Sequence, residues 1–260
     1  MGATTNYNQI ARDARIKTLD LIYRAQVSHI GSNFSCIDIL TVLFEKIDLD
    51  KDKFVLSKGW AAASLYYFLW RKGRITAEEL DSFCMEGSKF IGLAEPVIPE
   101  ITIAGGSMGL GLPGAVGLAL AKKIKKEEGK VYVLMSDGEM QIGTTWESAL
   151  IASHHGLDNL VVLVDVNGFQ AMGITTDILN LDPLKAKWRN FNWCSTSIDG
   201  HNYEQIEHSL AKPSTHGEPY MILCDTVKGK GVSFMEDNNL YHYKQLSEEE
   251  YAKAKAELYG

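Results

Sequence analysis

Four strand-like runs, three of them apolar almost throughout, recur along the second half of the chain: "VYVLMS" (131–136), "LVVLVD" (160–165), "WCSTSID" (193–199) and "YMILCD" (220–225). A segment able to form a helix separates each from the next, and a fifth run, "KFVLS" (53–57), lies upstream. Strands that are apolar almost throughout and alternate with helices specify a parallel sheet buried on both faces, because a strand wetted on one side would alternate in polarity. The expected fold class is therefore α/β, a parallel sheet with helices on both faces. The 260 residues are 45% hydrophobic, enough apolar mass for such a core, and no repeat, low-complexity segment or linker divides them. One domain spanning 1–260 is expected.

Helical spacing predicts an amphipathic helix over 7–28, with Ile10, Ala14, Leu21, Ile22 and Ala25 on the stripe and Thr18 covering the turn that Lys17 interrupts. Ser35 followed by Asp38 predicts a helix start of the capping-box type, running to about Phe44. Further helices are predicted at 60–70, from the capping pair Thr76 and Glu79 to about Cys84, over 112–128 with an end at Gly129, around 145–155 with Gly156 as cap, near 183–190, and over 203–211. Between 87 and 111 the texture changes to two prolines, six glycines and no period, which predicts a long ordered loop with a functional task.

The formal net charge of −7, from 33 acidic and 26 basic residues, argues against nucleic acid as a partner. Cys36, Cys84, Cys194 and Cys224 have no paired spacing and read as reduced thiols rather than a zinc or disulfide framework. With no apolar run of membrane-spanning length and no signal-peptide core, the expectation is a soluble, cytoplasmic protein that does not enter a membrane.

Asp137-Gly138 follows one strand and Asn167-Gly168 follows the next, with the acid and the amide 30 residues apart, about one strand–helix–strand unit. In an open parallel sheet ligands bind beyond the carboxyl ends of the strands, so the two side chains converge if their strands are neighbours. A carboxylate and an amide oxygen are hard ligands suited to Mg2+ or Ca2+, and so few protein oxygens require water and a phosphate-bearing ligand to complete the shell. Both dipeptides equally suit tight turns, and spacing alone leaves the two readings open.

The stretch from Asp137 to Asn167 resembles the thiamine-diphosphate signature, which opens on GDG and closes on an asparagine. The chain from about 8 to 250 is more narrowly similar to the N-terminal, diphosphate-binding half of transketolases, encoded as a separate subunit. The likeness is carried by "VSHIGSNFSCIDILTVLF", "DKFVLSKGWAAASLYYFL", "GGSMGLGLPGAVGLALA", "IDGHN" and "DTVKGKGVSFMEDN". It implies a thiamine-diphosphate-binding fold and a transferase of carbohydrate metabolism that moves a two-carbon ketol unit from a ketose to an aldehyde. It also implies that Asp137 and Asn167 bind the metal through their side chains and Phe169 through its backbone carbonyl. The Gly138 amide approaches the diphosphate, and Gly106 and Met108 meet the aminopyrimidine. Glu147 lies at a subunit interface near the cofactor, and His29 and His242 orient substrate oxygens or exchange protons with them, His242 also touching the cofactor. His201, in "IDGHN", is expected to brace a strand-to-helix turn.

The resemblance further implies a second polypeptide, the pyrimidine-binding C-terminal half, in an α2β2 heterotetramer without which the chain is inactive. Three positions depart from the family pattern. Ser136 replaces a glycine, and Trp60 in "GWA" and Leu93 in "GLA" replace two histidines. Polar groups suited to sugar hydroxyls have become largely apolar, so a non-standard sugar is expected. A 2-oxoacid donor on the same scaffold, or a scaffolding subunit without catalysis, are the alternatives.

Overall fold

The computed structural model describes residues 5–212 and 217–260. Five strands form one parallel sheet: β1 (Lys53–Leu56), β2 (Val131–Ser136), β3 (Leu160–Val166), β6 (Cys194–Asp199) and β7 (Tyr220–Asp225), in the order β1-β2-β3-β7-β6. β4 (Phe169–Gln170) and β5 (Gly173–Ile174) make a small antiparallel hairpin just beyond β3. The helices are α1 (Tyr7–Ala25), α2 (Ile30–Phe34), α3 (Ile37–Lys46), α4 (Ala62–Arg71), α5 (Ala77–Asp81), α6 (Gly111–Lys125), α7 (Gly143–His154), α8 (Thr175–Leu179), α9 (Leu184–Asn190), α10 (Tyr203–Ala211) and α11 (Glu248–Tyr259).

Successive strand residues point to opposite faces, and both faces of β2, β3 and β7 are filled, which is why those strands read as near-continuous apolar runs, whereas β6, at the sheet edge, is mostly polar and partly exposed. Leu134, Leu163, Ile222 and Cys224 join a core with α1, α3, α4 and α10. Val133, Met135, Val162, Val164 and Leu223 join a second core with α6, α7 and the indoles of Trp188 and Trp193. The α/β expectation is met on both faces.

Several element boundaries differ from the sequence reading. Ser35 does not cap α3: Cys36 holds the cap position without a side-chain bond, and Asp38 is taken by Arg15, His201 and Tyr203. The burial of a charge partner outweighs local capping here. α6 stops at Lys125, with Lys126 rather than Gly129 in the left-handed conformation that closes it. Gly156 closes α7 as expected: just past His155 it is left-handed, its amide donates to the Ser153 carbonyl and the Leu157 amide to the Ala152 carbonyl, both at 3.0 Å. Thr76 and Glu79 do form the reciprocal capping box predicted for α5. Residues 87–110 carry no regular element, as expected of the long loop.

Two glycines explain how that loop is stitched down. Gly59 donates to the Gly105 carbonyl at 3.1 Å, Gly105 donates to Ala94, and Ala94 donates back to Gly59. A Cβ on Gly59 would stand 2.1 Å from the Gly105 oxygen, so the crossing of the two backbones requires glycine. The crossing sets the 105–111 segment beside the tips of β1 and β2.

Candidate functional site

Parallel pairing aligns Ser136 of β2 with Asp165 of β3, so Asp137 and Asn167 emerge one step apart at adjacent strand tips. Spacing left convergence open, and the register supplies it. Asp137 is 3% exposed. Its carboxylate accepts from the amides of Gly138 (2.8 Å) and Gly168 (2.9 Å) and from the Thr175 hydroxyl (3.1 Å). No lysine or arginine pairs with it among the described residues. Burial, and then the charge of Asp165, push its pKa up to about 6. A buried carboxylate lacking a cation is what a divalent ion relieves, and its oxygens keep spare lone pairs. Asn167 Oδ1 accepts one bond, from the Phe169 amide at 3.1 Å, and retains a second lone pair. The donor chemistry fits a hard divalent cation.

Asp165 governs that arrangement, and sequence reasoning missed it. It is 0% exposed and accepts from Ser35 Oγ (2.6 Å), Asn167 Nδ2 (2.9 Å), the Thr226 hydroxyl and Lys58, with which it forms a buried ion pair. Because the Asn167 amide nitrogen is committed to Asp165, its oxygen faces the other way. Lys58 also donates to the Ser32 carbonyl at 2.9 Å. The available signal was an acid closing an otherwise apolar strand, which burial makes costly unless a cation meets it.

A cleft of about 550 Å3 opens over this floor. Ser136, Gly138, Asn167 and Phe169 line it, as do Gly106, Met108, His29, Trp60 and His242. Five proposed cofactor contacts thus share one cavity: Gly106, Met108, Gly138, Asn167 and His242. Gly138 permits the approach: a Cβ there would lie 3.0 Å from Gln170 Oε1. Its amide, however, donates to Asp137. The Gly106–Met108 loop is anchored from below by Glu139, whose Oε1 accepts from the Gly109 amide (2.9 Å) and from Ser57. Glu139 Oε2 is buried without a partner, and burial raises the pKa of its carboxyl.

His29 and His242 meet at the cleft wall, their rings 4.9 Å apart. Trp60 stacks on His29 at 4.4 Å and 10°, and Tyr243 packs edge-on to both histidines. His29 has a left-handed backbone (φ 73°), and its amide donates to the His242 carbonyl at 3.0 Å. Such strain in a non-glycine residue is sustained only by its surroundings and concentrates at working sites. Burial, with Lys228 and Lys58 nearby, lowers the His29 pKa to about 4 and that of His242 to about 3. Both rings are therefore neutral near pH 7, each offering one N–H and one lone pair. Lys228 Nζ donates to His242 Nδ1 and to Asn239 Oδ1, both at 2.8 Å, which leaves the proton of His242 on Nε2. Burial lowers the pKa of Lys228 to about 8. Sequence reasoning missed Lys228 too, although "VKGKG" places its lysines among glycines at the end of the last strand.

Glu147 stands apart. It is exposed on α7, outside the cleft and without an ion-pair partner among the described residues. Leu93 lies behind Gly106, 3.4 Å from where its Cβ would be, rather than on the cleft lining. No helix among the described residues is long and apolar enough to cross a membrane.

Known proteins share this arrangement of chain. The family model described as transketolase, thiamine diphosphate binding domain, matches residues 6–260. An apulose-4-phosphate transketolase subunit of Phocaeicola vulgatus is 34% identical over 254 residues, covering 94% of this chain and 90% of the relative. The 6-deoxy-6-sulfo-D-fructose transketolase subunit SqwG of a Clostridium species is 37% identical over 254 residues, covering 93% and 92%. The crystal structure of transketolase from Campylobacter jejuni superposes with a TM-score of 0.91 at 29% identity, over 98% of this chain and 43% of that one. The chain belongs to the transketolase family, matching its thiamine diphosphate binding domain along nearly its whole length.

Proposed function

We propose that the chain is the single-domain, cofactor-binding subunit of a two-chain transketolase that transfers a two-carbon ketol unit from a non-standard sugar to an aldehyde. Asp137 and Asn167, with the backbone carbonyl of Phe169, would hold Mg2+ (or Ca2+), and the cleft above them would take thiamine diphosphate. The convergence of an uncompensated buried carboxylate and an oriented amide at two adjacent strand tips, beneath a cleft walled by two neutral histidines, carries this reading. The chemistry such a coenzyme supplies is reversible cleavage of the C–C bond beside a ketone carbonyl.

The residues of this chain do the rest. Gly138 keeps the floor open, Gly106 and Met108 form the opposite lip, and Lys228, buried behind His242, adds positive charge to that side of the cleft. His242 Nε2–H donates to a substrate oxygen, while His29, neutral and fixed by Ser28 Oγ at 2.7 Å from its Nδ1, orients a second one. Trp60 presents an indole face, 44% exposed, where a hydroxyl-binding group would otherwise stand. That face favours a deoxy or otherwise modified sugar, since an apolar wall forgoes the discrimination that a paired hydroxyl gives. The names of the two relatives that are themselves transketolase subunits support both a modified sugar substrate and a second chain.

The second chain would be the pyrimidine-binding, C-terminal transketolase-like subunit, in an α2β2 assembly with Glu147 at a subunit boundary. The assembly belongs to the cytoplasm. Reconstitution tests the whole reading: the chain and its candidate partner are assayed together and apart with modified ketoses, ketose phosphates and pyruvate. Ketose-dependent transfer only by the pair is expected. Turnover of pyruvate without any ketose would select a 2-oxoacid transferase, and absence of metal-dependent thiamine diphosphate binding would leave a scaffolding subunit.

A further inference from the structure

Just past the ends of β6 and β7, away from the β2 and β3 tips that carry Asp137 and Asn167, lies a buried polar chain that the proposed function does not use. Asp38 on α3 accepts four bonds: from Arg15 Nη1 (3.0 Å) and Nη2 (2.7 Å), from His201 Nδ1 (2.7 Å) and from the Tyr203 hydroxyl (3.0 Å). The other nitrogen of His201, Nε2, accepts from the Val227 amide at 2.9 Å. An acceptor Nε2 requires the proton on Nδ1, where Asp38 takes it, so the ring has one tautomer and one orientation. Arg15 Nε donates to the Lys230 carbonyl at 2.8 Å. A Cβ on Gly231 would come within 2.9 Å of the Arg15 side chain, so the loop lies directly against it. Two links from one network thus clasp residues 227 and 230, on either side of Lys228.

We propose that Arg15, Asp38 and His201 are positioning residues that fix the loop over residues 226–231 and thereby hold Lys228 against His242 at the cleft. Lys228 has little other freedom: its carbonyl accepts from the Asp237 amide at 2.9 Å, and its ammonium sits between Asn239 and His242. His201 was expected to brace its own strand-to-helix turn. Its backbone amide does so through Asp199, but its ring reaches across to a different loop. What Lys228 does for a bound diphosphate rests on the proposed function, whereas the positioning itself does not.

The test compares the full chain with His201→Leu, His201→Gln and Lys228→Met. The readouts are the NMR titration of His242 and, with the partner chain present, the affinity for thiamine diphosphate with magnesium. His201→Leu should raise the His242 titration in the same direction as Lys228→Met, because the cation that opposes its protonation has moved away. It should also weaken cofactor binding about tenfold, the effect of losing one well-formed hydrogen bond to a buried group. His201→Gln, whose amide can both accept from Val227 and donate to Asp38, should restore both to within about twofold. A lowered melting temperature in His201→Leu with unchanged His242 titration and unchanged affinity would overturn the proposal, leaving the network a stability element only. If His201→Leu does not fold, His201→Asn replaces it, since its shorter amide cannot span Asp38 and Val227 together, and the same outcomes decide. A wild-type chain that fails to bind the cofactor would refute the proposed function, and the His242 titration alone would then judge the network.

Discussion

The strand tips and the aromatic wall face each other across one cleft and are built on opposite principles. At the tips nearly every polar atom is buried and assigned: Asp165 has Lys58, Ser35, Thr226 and Asn167, and Asp137 has two backbone amides and a hydroxyl. At the wall His29, Trp60, His242 and Tyr243 stack on one another, with Trp60 and Tyr243 exposed. Buried, closely bonded networks fix geometry at the cost of tolerance, because removing one member strands the others. An aromatic wall tolerates exchange. The first region suits a constant task such as holding a metal and a phosphate tail, and the second suits a substrate preference that changes from one relative to another.

Substitutions at the two regions should therefore differ in size, and the largest effect is expected at the floor. Asp137→Ala should reduce metal-dependent thiamine diphosphate affinity by about a hundredfold or more, since it removes a charged ligand, while calorimetric melting shows the fold intact. Unchanged binding would refute the metal assignment and dissolve the contrast between the regions. Lys58→Met should lower the stability of the fold by about 3–5 kcal/mol in denaturant titration, because it leaves Asp165 buried and unpaired. A loss below about 1 kcal/mol would mean that Asp165 readily takes up a proton and that the floor is less fixed than its bonds suggest.

A smaller, pH-linked effect separates Lys228 from both regions. Its folded-state pKa is lowered to about 8, so its ammonium costs the cofactor-free fold stability in full below that pH, a cost relieved as pH rises from there towards the ordinary lysine value of 10.5. Affinity for an anionic diphosphate should run the other way, strongest below about pH 8 and weakening above it as the charge is lost. Isothermal titration of the assembled enzyme from neutral to alkaline pH would reveal this limb, and Lys228→Met should abolish it. The smallest effect belongs to the wall: Trp60→His should change the ratio of kcat/KM values for deoxy and hydroxylated sugars by about tenfold without altering cofactor affinity. A collapse of cofactor binding in that variant would show that the wall and the floor are not independent.

Much of this is legible in the chain as written. The runs at 131–136, 160–165 and 220–225 announce a sheet covered on both faces because continuous apolarity has few other uses in a chain this polar overall. Asp137 and Asn167 are visible as chemistry at strand ends, and the glycine-rich 105–111 segment as part of a long loop with a task. The helix α11 was overlooked although Ser247 and Glu250 form a full capping box, because its mostly polar surface gives no apolar stripe. The Ser35–Asp38 pair misled for the converse reason: a pattern that can cap a helix can equally spend its carboxylate on a distant arginine.

The sequence by itself determined the class of fold, the strand-end acid and amide, and the histidines of the aromatic wall. All of these are local, because polarity pattern and residue chemistry act over a few neighbours. Only the tertiary structure decided that Ser136 pairs with Asp165, that Lys58 reaches that acid across 107 residues, and that His201 serves the loop of Lys228 rather than its own turn. Those facts depend on strand order and on which charges are buried together, and burial is set by the whole packed molecule rather than by any stretch of it.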